Sequence, residues 1–401
     1  MLVSAHPVQS QVSTVIQSVS LASTGLDLCI ICDGAVSLAL ASLVNAAGHN
    51  VRLWPIKETA KTLAGFAERL PAEFEMRDRG TNDLVMRGTC AFSLMTPDAK
   101  VALRGSDGLI ICQPVTEYGA LVDFLAPVLT NGQTVCLCNA SLGAGFEFRR
   151  LMRKRNKELQ INVIEIGNLF DCARIEDDVL QISGQREKVS FCGITRNETR
   201  RGLAMANTIS QGLVPTSNVL ERGLSEVEKI LRPVFLLFAL LGGRSEELDN
   251  ISNLVNPRLT KLIVALDKEI QTLAKIYHVV VPSFLETLTH FGGVGWEDAD
   301  TLGQALISVA ATFLNQRLVD QTASSMSPQE AIGLLKVDVL ETYTLLYDLA
   351  RLSRAHVPVI NSIIDLSSTI IGADLDKAGR KLADLGLLGF DVQEIIEHVN
   401  A

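Results

Sequence analysis

Between about residues 27 and 205 the chain alternates short apolar runs with stretches of helical composition. LDLCII (Leu26–Ile31) reads as a first strand, Ala35 to Ala47 as a helix, and Gly48 as its C-terminal stop. VRLW is a second strand, and Lys57 to Arg69 a helix ahead of Pro71. GLIICQP (Gly108–Pro114) is a buried strand followed by a helix from Tyr118 to Leu129. TVCLCN, a helix through Arg155 and the strand INVIEI continue the alternation. This βαβ order predicts a parallel sheet with helices on both faces. VLQISG and KVSFCG, rich in β-branched residues, are expected to form a closing hairpin.

From about residue 206 the strand signal ends. Arg258 to Tyr277 predicts a long amphipathic helix with Asn256 as N-cap and Pro257 in its first turn. Thr301 to Leu318, Gln329 to Leu352 and a helix opened by Pro358 follow. The expected organisation is an N-terminal extension (1–26), a Rossmann-type α/β domain (27–205) and an all-helical domain (206–401). No internal repeat or low-complexity tract is seen.

Composition narrows the class. The chain has 401 residues, 47% hydrophobic and 20% charged, enough for sizeable cores. A net charge of −9 argues against a nucleic-acid partner. The run VFLLFALL (Val234–Leu241) is too short to span a bilayer, and the N-terminus lacks the basic and apolar regions of a signal peptide. All eight cysteines lie between Cys29 and Cys192, mostly within apolar runs. They read as buried small hydrophobes of a reducing compartment, so the expectation is a cytoplasmic protein without a metal centre. The basic run RRLMRKRNK (Arg149–Lys157) sits where a helix ends and reads as a solvated, dipole-compatible face.

The chemistry centres on ICDGAVS (Ile31–Ser37), between the first strand and the first helix. A dinucleotide turn there uses three glycines, for the bend, the approach of the pyrophosphate and helix–strand packing. Their positions fall at Cys32, Gly34 and Ser37, so only the middle glycine remains. The helix N-terminus still offers N–H groups and its dipole to a phosphate. The expected cofactor contacts are Cys32, Gly34, Ala35, Val36 and Ser37, with Pro114 and Asn139 at later strand ends. Pro55 replaces the acidic residue that would bind a ribose, and Lys57 two residues on tilts the choice from NADH toward NADPH. Lys57 also reads as a solvated helix-start lysine.

Several segments resemble the octopine/nopaline (opine) dehydrogenase family, in colinear order from about residue 27 to 390. They include GAVSLALASLVNAAGHNVRLW, SDGLIICQPVTEYGALVDFLAPVLTNGQTVCLCNASLGAGFEF, IEIGNLFDCARIEDDVLQISGQREKVSF, NVLERGLSEVEKILRPVFLL and KVDVLETYTLLYDLARLSRAHVPVINSIIDLSSTIIG. The resemblance implies a Rossmann-type domain, a helical domain and a substrate cleft between them. It implies condensation of an amino acid with a 2-oxo acid and reduction of the imine by NADH or NADPH. The family's catalytic histidine falls at Arg232, its aspartate at Asp338, its substrate arginine at Gly333 and an acidic neighbour at Val337. Tyr118 lies near the position of a further family histidine.

An arginine keeps its proton at any working pH and cannot shuttle it as histidine does. Arg232 can polarise an oxygen, bind a carboxylate, or pair with Asp338 as a structural ion pair. Tyr118 is a candidate proton donor, and also a candidate buried aromatic. Glu165, Asn139 and Arg174 lie at strand ends where ligands of open sheets collect, and each also reads as a turn or surface residue. His290 in TLTHFGGVGW is a further candidate acid. Two functions are expected to compete. One is an NAD(P)H-dependent reductase with a remodelled site, acting on an imine, oxo or unsaturated group of an amino-acid-derived small molecule. The other is a non-catalytic binding or partner protein on the same scaffold. A homodimer is the assembly considered.

Overall fold

A helix with no charged residue must be covered all round. AVSLALASLVNA, helix α1 (Ala35–Ala46), is such a helix, and eight of its side chains are buried. The computed structural model describes residues 25–56, 71–78, 83–186, 188–242, 255–289, 306 and 327–401. Among them, two sheets enclose α1.

The main sheet has the order β12-β11-β8-β7-β6-β1-β2-β5 among the described residues. Its strands are β1 (Asp27–Cys32), β2 (Asn50–Pro55), β5 (Leu94–Met95), β6 (Gly108–Ile111), β7 (Thr134–Cys138), β8 (Asn162–Ile166), β11 (Val189–Gly193) and β12 (Leu213–Pro215). All neighbouring pairs are parallel except β8–β11. The second sheet, β4-β3-β10-β9, comprises β3 (Ala72–Arg77), β4 (Leu84–Cys90), β9 (Phe170–Glu176) and β10 (Val179–Gln185).

β1 shows how one strand serves two cores. Leu28, Ile30 and Cys32 face α1 and join a cluster that includes Phe74, Leu180 and Ile182 of the second sheet. Cys29 and Ile31 face the other way, into a core continuous with the helices of the second half.

The predicted closing hairpin is not formed. VLQISG pairs antiparallel with β9 and parallel with β3, whereas KVSFCG pairs with β8 and β12. Their patterns explain the separation. β10 alternates buried and half-exposed residues, as a sheet with one wet face requires. β11 is buried along almost its whole length and enters the main sheet. The short strand β12 also lies beyond the point where strand signal was expected to stop.

Helices α2 (Ala99–Leu103), α3 (Tyr118–Leu125), α4 (Ala144–Arg155) and α5 (Arg196–Ile209) complete the α/β part. From Val219 onward every described element is helical. These are α6 (Val219–Leu224), α7 (Val227–Gly242), α8 (Pro257–Ile276), α9 (Phe284–Thr289), α10 (Pro328–Asp338), α11 (Thr344–Ser353), α12 (Pro358–Ile371), α13 (Leu375–Ala378) and α14 (Val392–Asn400). The expected helix from Gln329 to Leu352 is interrupted by a π-helical segment at Val339–Tyr343. The helix expected at 57–69 lies outside the described residues, as do Lys57, His290 and all of the helix expected at 301–318 except Leu306.

α8 begins as its sequence predicts, with the Asn256 side chain accepting from the N–H groups of Arg258 and Leu259. Its buried Glu269 accepts from the N–H groups of Val359 (2.7 Å) and Ile360 (2.9 Å), at the start of α12. The carboxylate therefore caps a neighbouring helix. Glu269→Ala is expected to cost about 1–3 kcal/mol in urea unfolding, because two buried donors lose their acceptor. Glu269→Gln keeps an acceptor and is expected to lose less.

Candidate functional site

Open parallel sheets bind ligands beyond the C-terminal ends of their strands, where the connections diverge to opposite sides. Here that crevice lies past β1, β6 and β7. The turn after β1 is tightened by Ser37, whose hydroxyl oxygen accepts from the N–H groups of Asp33 (3.0 Å) and Gly34 (3.2 Å). Ser37 is fully buried beside Cys32, whose thiol is pushed up to about 12 by burial. Thus the third glycine position is filled by a side chain that fastens the loop. Leu38 is the first residue of α1 whose N–H reaches back to a carbonyl, that of Gly34. Helix geometry leaves the N–H groups of Ala35, Val36 and Ser37 directed out of the N-terminus.

One strand over, at the end of β2 where Pro55 pairs with Cys32, lies a groove of about 800 Å³. One wall is Trp54, Pro55 and Ile56 at the end of β2, the other Leu121, Phe124 and Val128, with Asp98 and Lys100 at its rim. Trp54 and Phe124 meet edge to face, 6.5 Å apart. Gln113, just before Pro114, also lines the groove. It is 4% exposed, and neither atom of its amide has a hydrogen-bond partner among the described residues. Leaving an amide buried and unpaired costs about 1–3 kcal/mol, and both its donor and its acceptor suit a ligand hydroxyl or ring nitrogen. Groove, orphaned amide and helix N-terminus therefore fit an adenine dinucleotide.

Of the other positions named from sequence, Asn139 ends β7 in the left-handed conformation (φ 52°). Pro114 opens the short 3₁₀ turn before α3. Arg174 lies on β9 in the second sheet, paired with Glu176 (2.8 Å). Glu165 is fully buried; it accepts from the Gly145 N–H (2.6 Å) and from Arg222 Nε (2.5 Å). Tyr118 is buried with its ring edge-on to Phe148 (5.5 Å), and burial together with Glu341 and Glu165 holds its hydroxyl well above the usual phenol range.

Arg232 and Asp338 face each other, both buried, in a two-pronged pair with Nε to Oδ2 at 2.6 Å. Glu228 lies 3.5 Å from the same guanidinium. Burial works against the Arg232 charge, but the facing carboxylates outweigh it and raise its pKa further. Gly333 is exposed on α10, away from any close contact.

The sequence reading missed a second cluster one helical turn along. Lys229 of α7 donates to Ser141 Oγ (2.9 Å), and Ser141 donates to Glu341 Oε2 (2.6 Å). Lys229 Nζ and Glu341 Oε2 are 3.9 Å apart, and all three residues are buried. The Thr116 N–H, in the turn after β6, points to the other Glu341 oxygen at 3.4 Å. The signal was present in spacing: Lys229 precedes Arg232 by three and Glu341 follows Asp338 by three, so each pair shares a helix face. Nearby, Arg222 donates to the carbonyls of Ala140 (3.1 Å) and Ser141 (2.8 Å), and Arg380 to those of Leu142 (2.9 Å) and Glu341 (2.7 Å). The loop after β7 is thereby held by cations from the helical half.

No metal-type cluster of His, Cys, Asp and Glu occurs among the described residues, and none of their helices is long and apolar enough to cross a membrane.

No family model matches the chain. A curated protein, the opine dehydrogenase of Arthrobacter sp. (strain 1C), is 23% identical over 356 residues, covering 88% of this chain and 92% of that protein. Octopine dehydrogenase in complex with NADH and agmatine superposes with a TM-score of 0.70 at 13% identity, over 92% of this chain and 98% of that one. NADP+-bound yersinopine dehydrogenase gives 0.65 at 15%, over 94% and 98%. A ketopantoate reductase of the PanE/ApbA family from Ralstonia eutropha gives 0.55 at 13%, over 86% and 99%. The helical second half packed against a Rossmann-type sheet is shared with these structures: the chain has the fold of the opine dehydrogenases and is similar to one of them in sequence over most of its length.

Proposed function

We propose that the chain is an NAD(P)H-dependent oxidoreductase of the opine dehydrogenase type with a remodelled active site. Its substrate is an imine, oxo or unsaturated group of an amino-acid-derived small molecule. The observation that carries this reading is the Gln113 amide, without a partner among the described residues and buried in the wall of the 800 Å³ groove at the end of β2. Gln113 and the Trp54–Ile56 wall would hold the adenosine half. The N–H groups at the start of α1 would hold the pyrophosphate. When bound, the reduced nicotinamide supplies a hydride. The α/β part, assigned to 27–205, would carry the cofactor, and the helical part, 206–401, would close over the substrate. A cytoplasmic location and a homodimer remain parts of the same proposal.

In this reading Arg232 does not move protons. Its guanidinium is occupied by Asp338 and Glu228, so it fixes α7 against α10. Tyr118 packs against Phe148 beneath the crevice. The same sealed ion pair favours the second reading, a binding protein that has lost catalysis.

Calorimetric titration with NADPH and NADH separates the two. Micromolar binding supports the oxidoreductase, and no binding at millimolar cofactor removes it. Gln113→Leu is expected to weaken NADPH binding about tenfold, the size of one or two lost hydrogen bonds. An unchanged Kd in this variant would remove Gln113 from the site.

A further inference from the structure

We infer that the proton delivered to the reduced group comes from Lys229 through Ser141, at the crevice end of β7, and that Glu341 orients both. The inference rests on the oxidoreductase reading. Adding hydride to the carbon of C=N or C=O leaves electron density on nitrogen or oxygen, which must receive one proton. Arg232 cannot release one. An ammonium can, and Lys229 is hydrogen-bonded to a hydroxyl able to relay it.

Three further observations place the relay. Ser141 stands on the loop leaving the central strand β7, where ligands of such sheets collect. Glu341 comes from the π-helical segment of the facing helical half, an irregularity often found at functional sites. Its second oxygen is tied to the Thr116 N–H, in the turn after β6 that begins beside Gln113. The cluster thus lies between the end of the cofactor groove and the helical half.

The step balances simply. A bound reduced nicotinamide would supply the hydride and its electron pair for the new C–H bond and would be left as NAD(P)+. The Ser141 hydroxyl turns from Glu341 to the substrate nitrogen or oxygen, gives its proton there and takes one from Lys229 Nζ. Neutral Lys229 is then reprotonated from solvent.

The test starts by titrating NADPH into the full chain, into Lys229→Arg and into Ser141→Ala. Failure of the unsubstituted chain to bind removes the oxidoreductase reading, and this inference with it. With binding established, NADPH oxidation is followed with pyruvate and ammonium as the probe. Lys229→Arg preserves the ion pair but holds its proton too tightly. It is expected to lower kcat at least 100-fold, with KM for pyruvate within about threefold. Ser141→Ala is expected to lose 10- to 100-fold, and methylamine is expected to restore part of the rate in Lys229→Ala. A structural lysine predicts the reverse, with near-normal turnover in Lys229→Arg and no rescue by amine.

A second readout does not need turnover. In 15N-lysine-labelled, NADPH-loaded protein, the Lys229 ammonium resonance, assigned by its loss in Lys229→Arg, is expected to shift on adding pyruvate with ammonium. An unmoved resonance, or Lys229→Arg turning over within threefold of the unsubstituted chain, overturns the inference while leaving cofactor binding intact.

Discussion

Replacing Arg222 by methionine is expected to destabilise the protein by about 3–5 kcal/mol, measured by urea unfolding. Its guanidinium is fully buried and serves four acceptors: Glu165 (2.5 Å), the carbonyls of Ala140 (3.1 Å) and Ser141 (2.8 Å), and Glu226 (3.4 Å). Burial opposes the Arg222 charge, yet Glu165 and its neighbours hold it protonated. Methionine fills much of the space but leaves the Glu165 carboxylate, also fully buried, without its cation. Adding Glu165→Gln is expected to recover part of the loss, since an amide is cheaper to bury than an unpaired charge. Because the same side chain holds the loop that carries Ser141, the single variant is also expected to lose turnover. A destabilisation under about 1 kcal/mol would mean that this network is not what joins α6 to the sheet edge.

Arg232→Met is expected to cost a similar amount, about 3–5 kcal/mol, because Asp338 is then stranded in the core. The informative comparison is the double variant Arg232→Met, Asp338→Leu. Apolar replacement of both partners in a buried pair is often neutral or stabilising. The double variant is therefore expected to unfold within about 2 kcal/mol of the unsubstituted chain. Glu228 keeps Arg186 (3.1 Å) and Asn168 (2.7 Å) as partners, so it is not orphaned by the change. NADPH affinity is expected to stay within threefold. If the double variant is as unstable as the single, the pair has a role that shape alone does not replace. If it is stable but binds no cofactor, Arg232 acts on the nucleotide site.

How much of this was legible in the sequence depended on the range of the interactions. The βαβ order was readable because each strand is a short apolar run bounded by its own turn residues, as in LDLCII and TVCLCN. The second sheet was harder to see. AEFEMR alternates charge with apolar residues, and its partner LVMRGTC is largely exposed. The clue was α1 itself, since a helix without a polar face implies a second cover. The opposition of Arg232 and Asp338 could be suspected only through the family resemblance, because 106 residues separate them. The three-residue spacing ties Lys229 to Arg232 and Glu341 to Asp338 on their own helices, but Ser141 comes from a third, distant segment that no local pattern links to them. Gln113 was invisible for a different reason: its interest lies in the partner it lacks.

The enclosure of α1 also has a consequence for biosynthesis. The helix is complete early, but part of its cover, Leu180 and Ile182 of β10, is translated about 140 residues later. At 5–20 residues per second that interval is roughly 7–28 s. During it, an uncharged, strongly apolar segment has left the ribosome without the β9–β10 half of its second sheet. Such exposure invites aggregation, so the yield of folded protein is set during synthesis by whatever shields residues 35–46, and slower translation between α1 and β10 should lower it.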